Sequence, residues 1–352
     1  MPSHLTPAST PTIVNVAIAV IYYQDKYLLG FRHQALHQGN KYEFIGGKIE
    51  ADETATKALI REVGEEVGID ISANAVVKLG RLHHDYGDRQ VCLQVYRVAL
   101  TDIQFAEHQN ESHGLEGQAL VWANKNDLLA GTYPLPAANK TILAWLQLPT
   151  QIVITYPLAH FTAQSDAEMA WLTYHKQHLP QDAWVYIRIK ANASESQLIE
   201  QLLTLRPDIQ IIVPHNNSNA SFTTNLVKDN FQTQAYHLTQ TELMDNMQQD
   251  YASDRPLLIS CHGADSIKAA NQLAASRLAK QQAPVIAIFL SPVLATQTHL
   301  NELPLGWEAW TTLAQLADMP VIALGGLSPS MYQQATHYGA TSIAGIRQFM
   351  SS

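Results

Sequence analysis

At 352 residues, with 46% apolar and 15% charged side chains, the chain is long for one hydrophobic core and suits two folded domains with little disorder. A formal net charge of −9 offers no basic field to a phosphate backbone, so a nucleic-acid polymer is excluded as an expected partner and any nucleotide ligand should be small and escorted by metal ions. Cys92 and Cys261 are the only cysteines and stand far apart, which fits a reducing, cytoplasmic setting and no disulfide framework.

In chain order, the polar, proline-containing residues 1–11 predict a loose tail, with neither a signal peptide nor a membrane span. Ile13 to Tyr23 is rich in β-branched residues, and Tyr27 to Phe31 follows a polar turn, so the two read as a hairpin. Arg32 and a polar loop lead to KYEFIGGK, a strand and glycine loop whose backbone groups are open to a phosphate or metal. From Gly46 to Ile69 the chain reads GGKIEADETATKALIREVGEEVGI. Here Ala55, Ala58, Leu59 and Val63 recur at helical spacing and can bury one face, while Gly68 suits a helix end that needs positive φ. Glu62, Glu65 and Glu66 stand at i, i+3 and i+4, so their carboxylates should converge within little more than a turn. Like charges that close repel unless a cation sits among them, and oxygen-only ligation suits Mg²⁺ or Mn²⁺. Arg61, four residues before Glu65, can pair with a neighbouring carboxylate and hold it. Val76–Leu79 and Gln90–Val98 read as strands flanking a turn at Asp85–Arg89, Ala119–Trp122 as a further strand, and Thr141–Leu148 as a closing helix.

Counted from Gly47, five residues precede Glu53 and seven more precede Arg61-Glu62, followed by Val63, Glu65-Glu66, Gly68 and Ile69. The segment therefore resembles the box of Nudix hydrolases. That resemblance implies an α/β/α sandwich over residues 12–148, a Mg²⁺ site (Mn²⁺ as substitute) built from the Gly46 carbonyl, Glu62, Glu65, Glu66 and Glu116, and places for Glu53 and Arg61 in the catalytic machinery. The flanking run NKYEFIGGKIE resembles MutT-type 8-oxo-dGTP diphosphatases, departing at Tyr42 and Ile45. By the same resemblance, Arg32 and Lys48 would reach the nucleotide and its phosphates, with Phe44 in the substrate-binding set. Glu116-Gly117-Gln118 resembles the E-G-Q segment, whose glutamate is a metal ligand or base; Glu62 and Glu116 both stay open as the base. Pro136-Ala137-Ala138-Asn139 resembles the P-A-N segment, whose asparagine reads an oxidised guanine. An amide offers both donor and acceptor to a purine edge, although Asn139 could equally cap the helix that follows. The implied reaction is hydrolysis of 8-oxo-dGTP to the monophosphate and pyrophosphate, which sanitises the nucleotide pool before replication. A thiamine-precursor pyrophosphate is the alternative substrate.

After Leu148 the pattern changes. Eight short apolar runs (QIVITY, AWVYIRIK, DIQIIVPH, AYHLT, LLISC, PVIAIFL, PVIALGG and TSIAGI) alternate with amphipathic stretches, which predicts a (β/α)₈ barrel over residues 149–352 with its functional residues at the strand C-terminal ends. Those ends resemble the thiamine-phosphate synthase and TenI group: Arg188-Ile189-Lys190, His237-Leu238, and Pro292 with Thr296 and Thr298. Gly325-Gly326 and Ala344-Gly345 resemble its phosphate loops. The chain departs from that pattern where Pro214-His215 replaces an asparagine-aspartate metal pair, where Glu242 replaces a metal aspartate, and at Ser291 and His299. These departures argue against synthase chemistry. Ser260-Cys261-His262 resembles the S-x-H of thiazole tautomerases, where the histidine is acid or base; as a rim residue before Gly263 it could instead cap a helix. The expected ligand is a thiazole or thiamine-type phosphate, turned over or merely sensed. Cys261 reads as a small barrel residue rather than a nucleophile.

Overall fold

The computed structural model describes residues 13–34, 39–85, 90–189, 195–215, 232–245, 251, 253–296 and 303–351. The expected tail, the tip of the 85–89 turn, Lys190, Thr298 and His299 lie outside the described residues. The chain divides into two compact units, residues 1–143 and 144–352.

The first unit is a seven-stranded mixed sheet with helices packed on it. Strand β1 (Ile13–Tyr23) runs parallel to β6 (Gln90–Ala99) along its whole length, and β6 pairs antiparallel with β5 (Val76–Asp85). The other edge of β1 is shared. Near its start it pairs with β4 (Ile45–Lys48), and at its end with β2 (Lys26–Arg32), where only Tyr22–Tyr27 and Tyr23–Lys26 are in register. The expected hairpin thus exists only at its turn; β2 then swings away to pair with β3 (Lys41–Glu43) and β7 (Leu120–Asn124).

Helix α1 (Ala55–Val67) forms where the apolar spacing predicts. The Thr54 hydroxyl accepts from the Lys57 N–H at its start, and Gly68 ends it in the left-handed region at φ 72°. Its buried face is Ala58, Leu59, Val63 and Val67, packed on Ala17, Ala19, Ile21, Leu28 and Ile45 of the sheet. Val67 takes the place that Ala55 was expected to fill. Helix α2 (Asp102–His108) has no counterpart in the apolar pattern, yet a capping box between Thr101 and Gln104 starts it. A short α3 (Lys125–Leu129) and the closing α4 (Asn139–Leu146) complete the helices.

The second unit contains a closed all-parallel barrel in the order β8 to β15: Gln151–Ile154, Trp184–Tyr186, Gln210–Pro214, Thr233–Leu238, Leu257–Cys261, Val285–Leu290, Val321–Leu324 and Ser342–Gly345. Each of the eight apolar runs supplies one strand. Every residue of β13 is buried, as a strand covered on both faces requires. Among the described residues, the α-helices between strands are α5 (Ala167–His178), α6 (Glu195–Leu205), α7 (Gln240–Asp245), α8 (Ala264–Ala279), α9 (Gly306–Ala314) and α10 (Tyr332–His337). Among the described residues, no helix is long and apolar enough to cross a membrane.

Candidate active site

The glycine loop and α1 are built to fit one another. Gly46, at φ 148°, lies so close to β1 that a Cβ there would stand 2.1 Å from the Ala17 carbonyl oxygen. At Gly47 a Cβ would stand 2.2 Å from Glu62 Cδ, so the Glu62 carboxylate rests directly on the loop backbone. Only glycine leaves both approaches open.

Arg61 organises the carboxylates. Its guanidinium donates to Glu53 (2.6 Å), to Glu62 (2.8 Å), to Glu65 (3.0 Å) and to the Lys48 carbonyl (3.1 Å). Glu53 also accepts from the Glu50 N–H at 2.9 Å, and these bonds, chiefly those from Arg61, hold its carboxyl below the usual range. The same bonds to Glu53, Glu62 and Glu65 raise the already high pKa of Arg61, which therefore stays a fixed positive hub.

The convergence of Glu62, Glu65 and Glu66 takes a different form from the expected one. Glu65 is 57% exposed, against 16% for Glu62, and turns to Arg61. Glu66 turns inward, where burial pushes its carboxyl up to about 8, helped by the charges of Glu43, Glu116 and Glu62 and opposed by the Gly46 N–H. The inner set is therefore Glu43, Glu62 and Glu66, each half-buried, with exposed Glu116 acting on Glu66 from its loop. Helical spacing places 62, 65 and 66 on neighbouring rows but does not say which row faces the sheet, and Arg61 draws Glu65 outward. Among the described residues no His, Cys, Asp and Glu stand in a closed metal-binding group. The chemistry of the set nonetheless fits a divalent cation, because its donors are all oxygen and Glu66, raised first by burial, is raised further by three neighbouring carboxylates.

Glu43 escaped the sequence reading although it lies inside the NKYEFIGGKIE run. It is buried enough to raise its carboxyl pKa, and Arg32 Nη1 donates to it. Arg32 is therefore held by a protein carboxylate rather than left free. The end of α1 is tied to the Glu116 loop as well, since the Glu66 carbonyl accepts from the Leu115 N–H (2.8 Å) and from Gln118 Nε2 (3.1 Å).

Asn139 begins α4 and is 6% exposed; no side-chain capping bond from it occurs among the described residues. Phe44 is 2% exposed, so its ring belongs to the core and only its backbone could meet a ligand. Lys48 is exposed at the end of β4.

In the barrel, the described ligand candidates gather at the strand C-terminal ends. The Arg188 N–H donates to Thr155 Oγ1 at 2.8 Å. His237 Nε2 lies 2.8 Å from Ser260 Oγ, and burial with the nearby Arg188 charge pulls its pKa down to about 3, so it is neutral. His262 is exposed, with Nδ1 2.9 Å from the Ser291 carbonyl oxygen. Gly325 (φ 106°) and Gly326 (φ 70°) pack against Pro292 and Leu294, and a Cβ at Gly345 would strike the Phe349 ring. Thr296 is half-buried beside them. Burial raises the Cys261 thiol to about 12, in keeping with a packing residue.

The metal positions of the synthase are not reproduced. His215 is buried and lowered in pKa by desolvation, while Glu242 accepts from the Thr239 N–H and hydroxyl, each at 2.8 Å, as the capping box of α7. A buried neutral imidazole and a carboxylate committed to a helix start do not fit Mg²⁺.

Comparison with known proteins agrees with this division. A NUDIX domain model matches residues 16–145, and a thiamine monophosphate synthase model matches residues 224–349. The chain is 31% identical over 135 residues to an 8-oxo-dGTP diphosphatase of Escherichia coli (strain K12), covering 38% of this chain and 96% of that protein. It is 32% identical over 135 residues to a CTP pyrophosphohydrolase of the same organism, covering 37% and 89%, and 33% identical over 131 residues to an 8-oxo-dGTP diphosphatase of Haemophilus influenzae, again covering 37% and 89%. The chain belongs to the Nudix family through its N-terminal hydrolase domain, which is followed by a thiamine monophosphate synthase-type barrel.

Proposed function

We propose that the N-terminal domain hydrolyses 8-oxo-dGTP to 8-oxo-dGMP and pyrophosphate with the help of Mg²⁺. The observation that carries this reading is the carboxylate set on the Gly46–Gly47 loop, where Glu62 rests on the loop backbone and burial, reinforced by the charges of Glu43, Glu116 and Glu62, pushes Glu66 up to about 8. Glu62, Glu66, Glu116 and the Gly46 carbonyl would hold the cation, and Glu65 stands ready at the rim. When bound, the ion supplies charge neutralisation for the polyphosphate and activation of water. The chain's own part is to fix Glu62 against Gly47 through Arg61, so that this carboxylate is already oriented when substrate arrives, with the base supplied by Glu62 or Glu116. Asn139, buried and without an internal partner for its amide among the described residues, is suited to a purine edge.

Pyrophosphate release should be measured with Mg²⁺ on 8-oxo-dGTP, dGTP, CTP and hydroxymethylpyrimidine pyrophosphate. A clear preference for 8-oxo-dGTP is expected, together with a loss of roughly a hundredfold or more in Glu62→Gln, which keeps the side-chain size but removes one charge. Activity on 8-oxo-dGTP no better than on dGTP would end this reading. A preference for hydroxymethylpyrimidine pyrophosphate would support the thiamine-precursor alternative, and a preference for CTP would support a pyrimidine-nucleotide substrate, which the similarity to a CTP pyrophosphohydrolase favours.

For the barrel we infer binding of a thiazole or thiamine-type phosphate, supported by the paired glycine loops and the neutral His237–Ser260 pair. A thiazole phosphate should raise the melting temperature. Tautomerase turnover that disappears in His262→Ala would make the barrel an enzyme rather than a sensor.

A further inference from the structure

Gly30 lies in the middle of β2, opposite Glu43 on β3 and Leu120 on β7. Arg32 is two residues farther along and projects from the same face, so it reaches Glu43 on the diagonal across two strands. The resulting ion pair joins two half-buried side chains, 31% and 32% exposed. Among the described residues Arg32 has no other protein acceptor, and its Nε is sealed from solvent without a partner. A guanidinium carries five donors in one rigid plane, so fixing Nη1 on a carboxylate fixes the direction of all the others. Glu43 also faces the inner carboxylate set, being the first of the charges that act on Glu66. It therefore stands between the arginine and the cluster and already has an occupied oxygen on the arginine side.

Resting on the nucleotide-hydrolase reading above, we propose that Glu43 is a positioning residue for substrate: it holds the Arg32 guanidinium so that its unused donors meet an oxygen of the bound nucleotide, and it is not itself a cation ligand. Arg32 without Glu43 would sample many rotamers, and the ordering cost would fall on binding. The alternative role, a ligand from the inner set, predicts an effect on cation dependence instead.

The test uses the full chain and product binding in EDTA, where no divalent cation contributes. Titration with 8-oxo-dGMP should give about tenfold weaker binding in Glu43→Gln, a similar loss in Arg32→Ala, and no further loss in the double variant, because both remove one shared interaction. Titration with the nucleoside, which lacks phosphate, places the acceptor: an equal loss puts the oxygen on base or sugar, a loss confined to the monophosphate puts it on phosphate, and both support the proposal. With Mg²⁺, Glu43→Gln should raise KM with little change in kcat or in the cation concentration needed for half-maximal rate. Unchanged 8-oxo-dGMP binding in a Glu43→Gln protein of wild-type melting temperature overturns the proposal, as does additive loss in the double variant or a main effect on cation requirement. If wild type neither binds 8-oxo-dGMP nor cleaves 8-oxo-dGTP, the functional reading fails instead, and the two failures are told apart.

Discussion

Arg61 divides one guanidinium among Glu53, Glu62, Glu65 and the Lys48 carbonyl. Lysine keeps the charge but not the planar fork, so Arg61→Lys should lower kcat on the preferred nucleotide by roughly a hundredfold while the fold survives; rate and melting temperature measured on the same preparation check this. Glu66 supplies a pH prediction. Its folded pKa of about 8 lies above the 4.5 of an ordinary glutamate, so the folded protein binds this proton more tightly than the unfolded chain. The associated stability is present at low pH and is lost as pH rises through about 8 in cation-free protein. Glu66→Gln should therefore lose less stability than wild type between about pH 6 and about pH 9 in EDTA, by ~1–3 kcal/mol, as read from denaturant midpoints. Mg²⁺ should restore wild type and leave the variant unmoved. The box residues were legible because a fixed helical spacing forces Glu62 and Glu66 toward a common region. Glu43 was not, because its importance arises from a cross-strand diagonal to Arg32, and such a diagonal depends on strand pairing that no local pattern states.

At the scale of elements, the loop from β8 to α5 is held by buried side chains as well as by its own short turn at Leu158–Phe161. Tyr156 donates its N–H to His175 Nε2 (3.1 Å) and its carbonyl accepts from Trp171 Nε1 (2.7 Å), and both partners are fully buried. Burial pulls His175 down to about 4 from 6.5, so the folded barrel resists a proton that the unfolded chain accepts. Stability from this group is complete above about pH 6.5 and is lost as pH falls toward 4, by roughly 3 kcal/mol. His175→Gln should flatten that part of the stability profile in urea titrations at stepped pH. The barrel strands were plain in the sequence because parallel strands covered on both faces are apolar at every position, as in Val285–Leu290. Glu242 shows the opposite case: the resemblance places it only as a departure from a metal aspartate, whereas Thr239 three residues earlier makes it the second half of a capping box. Helix α2 was missed for a related reason, since its start is set by Thr101 and Gln104 and it buries only Phe105.

For the whole molecule, the domain order and the barrel were readable from the change of apolar period after Leu148, while the partition of chemistry between domains needed the geometry of individual side chains. His215 and Glu242 lead to a negative prediction. Supplied with hydroxymethylpyrimidine pyrophosphate, thiazole phosphate and Mg²⁺, the protein should form no thiamine phosphate detectable by chromatography; measurable product would mean that another group replaces the lost metal positions. The way β1 shares its edge has a practical consequence for anyone redesigning this site. Ala17 and Ile18 set the position of the glycine loop, and Tyr22 and Tyr23 set the start of the strand that carries Arg32. Both distances are measured along a single strand, like two marks on one ruler. Grafting the box alone into another scaffold would transfer the helix and lose that ruler, so a transplant that keeps the spacing of loop and arginine has to carry β1 with it.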